Sequence, residues 1–153
     1  MNLVRISSSR ELGLEIAKDA ALNLYMTLPG RDRKLPRIVT GSHMDSVPQG
    51  GNYDGAAGVV AGLAAVAGLK TAGIHPKRDV TVMAVRGEEA AWFDSHYIGS
   101  TAAFGKFPPA DFAIPRSDTR RPLGECMAEA GCDLEALRRG EAHFKPEDIL
   151  VYL

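Results

Sequence analysis

Apolar positions along the chain fall into short β-prone runs separated by Gly, Pro and charged turns, with one longer run standing apart. Ala21 to Thr27 (ALNLYMT) predicts a strand, closed by Pro29-Gly30 and the charged loop RDRK. Leu35 to Ser42, with IVT at its centre, predicts a second strand, and the spacing of the two suggests an antiparallel hairpin. Leu12 to Ile16 is too short to decide between strand and helix. Gly55 to Ala72 consists mostly of Ala, Val, Leu and Gly, apolar on nearly every face. It predicts a helix buried on more than one side and stopped by Gly73. Asp79 to Val85 (DVTVMAV) is β-branched and apolar throughout, as expected of a strand covered on both faces. Strand, helix and strand together make a βαβ unit, which should be right-handed with parallel strands.

The texture changes beyond Glu89. GSTAAFG can open a short helix, and KFPPADFAIPRSD is a proline-punctuated surface connection. Arg121 to Ala130 and Asp133 to Arg139 have helical spacing, interrupted at Gly131. ILVYL, at the carboxyl end, is an apolar β-prone run with no turn or polar cap after Leu153. The chain contains no internal repeat and no low-complexity segment.

Composition narrows the classes. At 153 residues, with 45% hydrophobic and 24% charged residues and a net charge of -1, the chain has the make-up of one globular domain. A near-neutral balance gives no reason to expect nucleic acid or an anionic membrane surface as partner. The longest candidate spanning segment, Ala56 to Leu69, is too short and too rich in Gly and Ala. The amino terminus MNLVRISSSRELGLEI holds no uninterrupted apolar stretch suited to a secretory signal. Cys126 and Cys132 have no CxxC spacing and no nearby histidine pair, so they read as reduced thiols of a cytoplasmic protein.

The chemistry concentrates at strand ends. Ligands of open parallel sheets bind beyond the carboxyl ends of the strands. Ser42-His43-Met44-Asp45 follows one expected strand, Gly87-Glu88-Glu89 follows the other, and Asp54 immediately precedes the crossover helix. Singly, each is ordinary: a histidine after a strand is commonly structural, an Asp-Gly step is commonly a turn, and Glu pairs are commonly solvated. Their placement at the ends of consecutive sheet elements favours a divalent-cation site of His, Asp and Glu. Asp54 lies between the other two sets in sequence and is the natural bridging carboxylate. Asp45, two residues after His43 on an extended strand, is expected to accept the imidazole's second N–H through its side chain. One of the adjacent glutamates can bind metal while the other serves as general base.

GSHMDSVPQGGNYDGAAGVVAGL, VMAVRGEEAAWF and IGSTAAFG together resemble the hydantoinase/carbamoylase branch of the dinuclear-metal amidohydrolases and aminopeptidases. That branch contains N-carbamoyl-L-amino-acid hydrolases, allantoate amidohydrolases and β-ureidopropionases. The likeness runs from about Ala21 to Leu153. It implies an α/β, three-layer, zinc-aminopeptidase-like catalytic domain with a mixed, mostly parallel and incomplete sheet. It also implies two divalent ions (zinc, manganese, cobalt or nickel), with His43 on one, Asp54 bridging and Glu89 on the other. Glu88 would be the catalytic base and Asp45 the orienting partner of His43. The implied reaction is hydrolysis of a C–N bond in an N-carbamoyl or ureido compound.

The chain departs from the family pattern in length. Members of the branch continue from a strand like ILVYL into a His-Ile-Glu-Gln-Gly motif, and they carry two further histidine ligands, an inserted dimerisation domain and a second half of the catalytic domain. Residues 1–153 therefore read as the amino-terminal part of such a domain. With two protein ligands per ion, metal binding is expected to be weak or partial and activity poor. His75 and His143 are expected to face solvent, and His96 can line the site, although a packing or surface role is expected first. Two readings from other classes stay open: a non-catalytic binding or assembly module, self-associating through an exposed sheet edge, and one part of a split enzyme completed by another chain.

Overall fold

The structure, a computed structural model, describes residues 12–153. Most of the amino-terminal stretch read for a secretory signal therefore lies outside the described residues. Five strands form one sheet: β1 (Glu15–Lys18), β2 (Leu24–Leu28), β3 (Arg37–His43), β4 (Val80–Val85) and β5 (Ile149–Tyr152), in the order β1-β2-β4-β3-β5. The helices are α1 (Ala56–Thr71), α2 (Ile98–Ala103), α3 (Leu123–Glu129) and α4 (Leu134–Arg138), with short 3-10 turns at Pro109–Ala113 and Pro146–Asp148.

β4 occupies the centre because all six of its residues are buried, as its uninterrupted apolar run required. It pairs in parallel with β3, Ile38 opposite Val80 and His43 opposite Val85. The β3-α1-β4 unit is thus the expected βαβ crossover. The expected hairpin between β2 and β3 does not form: β4 lies between them, antiparallel to β2, with Leu24 opposite Ala84. The loop after Pro29 turns toward the segment leading into β4 instead. Arg31 and Asp32 donate their backbone N–H groups to the carbonyls of Pro76 and Lys77. The sheet is mixed as expected, but β1-β2 and β2-β4 are antiparallel while β3-β4 and β3-β5 are parallel, an even division rather than a parallel majority.

Side-chain alternation along the strands makes the three layers. Met26, Val82 and Ala84 face α1 and pack with Val59 and Val66. Tyr25, Met83 and Val85 point to the opposite face, where Ala103 of α2 and Phe144 cover them. α1 corrects an expectation: its buried residues are Val59, Gly62 and Val66 alone, and Val60 is 53% exposed. It is buried on one stripe. Ala and Gly let that stripe approach the sheet closely but leave no polar face in the sequence from which to read the outer side. Among the described residues, no helix is long and apolar enough to cross a membrane.

Candidate metal centre

The parallel pair β3 and β4 ends at one edge of the sheet, and both chains leave it there. The β3-β4 ladder continues one step past β3, with Met44 N–H donating to the Val85 carbonyl at 2.8 Å. His43 is the last residue of β3 and is half-buried. Its Nδ1 lies 2.8 Å from the backbone carbonyl of Asp45. A carbonyl only accepts, so Nδ1 carries the hydrogen, and the neutral ring presents the Nε2 lone pair on its other side. Nε2 faces Asp54 Oδ1 at 3.6 Å and Glu88 Oε2 at 3.9 Å.

Asp54 is brought there by a tight reversal. Ala56 N–H donates to the Asp54 carbonyl at 2.6 Å, and Gly55 between them has φ 65 and ψ -55. These are the features of a γ-turn of the strained type, which an L side chain adopts at a cost. A Cβ on Gly55 would also overlap the His43 imidazole and carbonyl, so both residues of the pair depend on this glycine. Gly50 performs the corresponding service on the other side, since its missing Cβ would lie 2.5 Å from Asp54 Oδ2. That oxygen accepts from Val47 N–H at 3.1 Å. The Ser46 hydroxyl and the Val47 amide hold the Asp54 carboxyl below the usual carboxylate range.

The Glu88-Glu89 loop is clamped from two sides. The Asp45 carboxylate accepts from Glu88 N–H at 3.2 Å and from Glu89 N–H at 2.9 Å. From the other side Ile98 and Tyr97 donate their N–H groups to the carbonyls of Gly87 and Glu88 at 2.8 and 3.1 Å. Asn23, fully buried, ties this loop to β2 by accepting from Arg86 N–H at 2.9 Å and donating to the Gly99 carbonyl at 2.8 Å.

These contacts bring one ligand atom each of His43, Asp54 and Glu89 to within 4.8 Å of one another. Among the described residues, none of the carboxylates of Asp54, Glu88 and Glu89 forms an ion pair with Lys or Arg. Three carboxylates and an outward imidazole lone pair, with no basic side chain to balance them, are the donor set a divalent cation neutralises. The residues present fit such an ion.

A scan against family models matches residues 23–111 to peptidase family M28. The chain belongs to this family. It is 35% identical over 147 residues to an N-carbamoyl-L-amino acid amidohydrolase of Geobacillus stearothermophilus, covering 96% of this chain and 35% of that protein. It is 37% identical over 119 residues to an allantoate amidohydrolase of Bacillus subtilis, covering 78% of this chain and 29% of that protein. Among solved structures it is similar to a hydantoinase/carbamoylase family amidase from Burkholderia ambifaria. That match has a TM-score of 0.73 at 31% identity and covers 83% of this chain and 31% of the other. The chain thus spans about a third of the length of the curated relatives it matches. The recognised resemblance to the hydantoinase/carbamoylase branch and the α/β fold class both stand on these matches.

Two of the expected placements, those of the Asp45 side chain and His143, need correction within this M28 frame. Asp45 does not offer its carboxylate to His43: the residue turns after the strand, so its carbonyl takes the imidazole N–H and its side chain holds the glutamate loop. His96 takes the surface role rather than that of a site-lining residue: it is exposed, its ring 6.1 Å from that of Tyr97, and it is absent from both the ligand group and the lining of the adjacent cavity. His143 is not solvent-facing: it stacks on Tyr25 with ring centroids 3.7 Å apart, and burial pushes its pKa down. His75 is exposed as expected. Sequence reading missed Ser46 and Asn23. Of these only Asn23 carried a signal, a lone amide inside the apolar run ALNLYMT.

Proposed function

We propose that this chain is the amino-terminal part of a metal-dependent catalytic domain whose activity is hydrolysis of the C–N bond of N-carbamoyl-L-amino acids or related ureido compounds such as allantoate and ureidopropionate. The observation that carries the proposal is the convergence of His43, Asp54 and Glu89 within 4.8 Å. Similarity to amidohydrolases named for carbamoyl amino acids and for allantoate supports the substrate class.

In this reading His43 through Nε2, Asp54 and Glu89 would hold the divalent metal. When bound, zinc, manganese, cobalt or nickel supplies Lewis acidity toward a carbonyl and acidifies water at neutral pH. The chain's own residues do the rest. Asp45 fixes the histidine tautomer through its carbonyl and the position of both glutamates through its carboxylate. Glu88 stands beside the ligand group without belonging to it, its Oε2 3.9 Å from His43 Nε2, which supports its reading as the base that would take a proton from the attacking water and return one to the leaving nitrogen. The described residues supply only His43, Asp54 and Glu89 as ligands, so binding by this chain alone is weak and turnover poor.

Calorimetric titration with zinc and with manganese, followed by a carbamoyl-amino-acid assay, tests the reading. Heat of binding that disappears in His43→Ala and Asp54→Asn is expected. Absence of binding in the folded wild-type chain overturns it.

One observation favours a second reading, assembly through the sheet edge. Among the described residues β5 pairs with β3 alone, and Leu150 and Tyr152 on it and Leu153 just after it are exposed by 56%, 51% and 71%. An apolar edge of this kind pairs with further chain.

A further inference from the structure

Arg86, where the chain leaves β4, and Gly99, in the first turn of α2, are the two ends of the loop that carries Glu88 and Glu89. One side chain closes the neck of this loop. Asn23 Oδ1 accepts from Arg86 N–H at 2.9 Å, while Asn23 Nδ2 donates to the Gly99 carbonyl at 2.8 Å. The second hydrogen of Nδ2 goes to Asp19 Oδ2 at 2.7 Å. Nδ2 thus faces two atoms that only accept, which decides the orientation of the amide. The neck is tightest at Gly99, where a Cβ would lie 2.3 Å from the Arg86 carbonyl oxygen and 2.4 Å from Asn23 Oδ1.

Asp19 holds the amide in turn. Its Oδ1 accepts from the N–H groups of Ala21 and Asn23 at 3.0 and 2.9 Å, and its Oδ2 accepts from Tyr25 Oη at 2.6 Å as well as from Asn23. These hydrogen bonds fill the roughly four lone-pair sites of a carboxylate. The turn that brings the pair together places Leu22 at φ 65, a left-handed conformation that leucine takes only at a cost.

We propose that Asp19 and Asn23 are positioning residues for the reaction: the Asn23 amide pins together the two ends of the 86–99 loop, and Asp19 locks that amide, so that Glu88 and Glu89 are held against His43 and Asp54. The inference rests on the amidohydrolase reading given above, in which Glu89 is a ligand and Glu88 the base. Neither Asp19 nor Asn23 belongs to the ligand group. Both act through the backbone on which the glutamates are mounted. A buried amide and a strained turn are costly ways to fill space. An apolar side chain at position 23 would fill it without them, but would release both ends of the loop.

Zinc calorimetry, thermal melting and residue-by-residue NMR amide exchange on the full chain test the proposal. Asp19→Asn keeps the shape of the side chain but turns an NH2 toward the NH2 of Asn23, so the lock is lost. Zinc affinity is expected to fall by about tenfold or more, as for other groups that support a metal ligand from behind. Amide exchange is expected to quicken at Glu88 and Glu89 ahead of α1 and β4. Thr27→Val is the stability control. It breaks the buried hydrogen bond of 2.9 Å between Thr27 and Thr81, toward the other end of the same sheet. It should lower the melting midpoint and leave zinc affinity as it was. Asn23→Ser removes the clasp itself and should act in the same direction as Asp19→Asn. Asn23 is fully buried; where neither variant folds, Tyr25→Phe deletes one hydrogen bond to Asp19 with little change of shape and should quicken the same amides by a smaller amount. The proposal is overturned if the variants bind zinc as the wild type does, if Glu88 and Glu89 exchange only in step with the rest of the chain, or if Thr27→Val weakens zinc as much as Asp19→Asn. Failure of the amidohydrolase reading is a separate result: folded wild type that binds no zinc. Exchange at Glu88 and Glu89 in the variants then still decides whether Asp19 and Asn23 hold the loop.

Discussion

The Asp45 carboxylate, two residues past the end of β3, lies 2.9 Å from the backbone nitrogen of Glu89 in the loop that follows β4. Through this contact and its partner to Glu88, the residue that fixes His43 also fixes both glutamates. The two halves of the centre, one on β3 and one on β4, therefore share a single hinge residue.

Asp45→Asn is expected to separate the two functions of this residue. The carbonyl still accepts from His43, but the amide has one acceptor oxygen, and its NH2 confronts the second loop N–H. Zinc affinity should fall by about 10- to 100-fold, the usual consequence of losing support around a metal ligand. The thermal midpoint of the metal-free chain should move much less. Calorimetry and a melting curve check the pair of outcomes. An unchanged zinc affinity would remove Asp45 from the centre.

Gly55→Ala should disrupt the same centre from the other end. The backbone at φ 65 and ψ -55 penalises any Cβ, at about 1–3 kcal/mol, and the new methyl group collides with the His43 ring and carbonyl. Zinc binding is expected to be lost, with a lowered melting midpoint. Gly73→Ala also sits at positive φ, 67, but has nothing near its missing Cβ. It should cost stability while leaving zinc affinity as it was, so comparison of the two separates strain from site damage.

The elements that made the centre legible in the sequence are those whose pattern is local. β4 and the crossover helix read directly, and their connection rule put His43, Asp54 and Glu89 at one edge. What escaped was set by partners far along the chain. β2 reads as the mate of β3 because they are consecutive, yet β4, buried on both faces, takes the place between them. The Asp45 side chain reads as facing His43 because an extended strand alternates. The strand ends at His43, and the next turn redirects the carboxylate to the glutamate loop. Asn23 and Ser46 act by contacts with no sequence period at all.

The two glutamates should separate by variant. Glu89 belongs to the ligand group and Glu88 does not. Glu89→Gln is expected to weaken metal binding by tenfold or more. Glu88→Gln is expected to keep metal affinity within about threefold, and to lower any measurable turnover by about 10²- to 10⁴-fold, the contribution of a general base. The reverse pattern would exchange the two assignments.

Acid sensitivity should report on Asp54. Its carboxyl is held low first by the Ser46 hydroxyl, then by the Val47 amide. A group whose folded pKa lies below its unfolded value adds stability above the unfolded value and loses it as the pH falls through the folded one. Ser46→Ala removes the larger of these effects, so the Asp54 titration should move up toward the ordinary range near pH 4. The stability difference between wild type and variant should be present at pH 5 and vanish as the medium becomes more acid. NMR titration of the Asp54 carboxyl and urea melts at stepped pH check the direction. A variant with an unshifted Asp54 would assign the low pKa to the Val47 amide instead.

The β5 edge leads to an association test. Among the described residues Ile149–Tyr152 pairs with β3 alone, and Leu150, Val151 and Tyr152 on it are exposed. No Lys, Pro or Glu interrupts the strand, although these are the devices that keep natural edges from pairing. Concentrated chain is expected to run larger than a monomer on sizing chromatography, with apparent size rising with concentration. Val151→Lys places a charge on the strand without touching the centre, and should return the chain to a monomer with its zinc affinity unchanged. Wild-type chain that stays monomeric at all concentrations would exclude edge pairing between copies. Association that persists in Val151→Lys would move the contact elsewhere. Loss of association together with loss of zinc binding would instead mean that a second copy completes the ligand set, because β3 carries both the β5 pairing and His43.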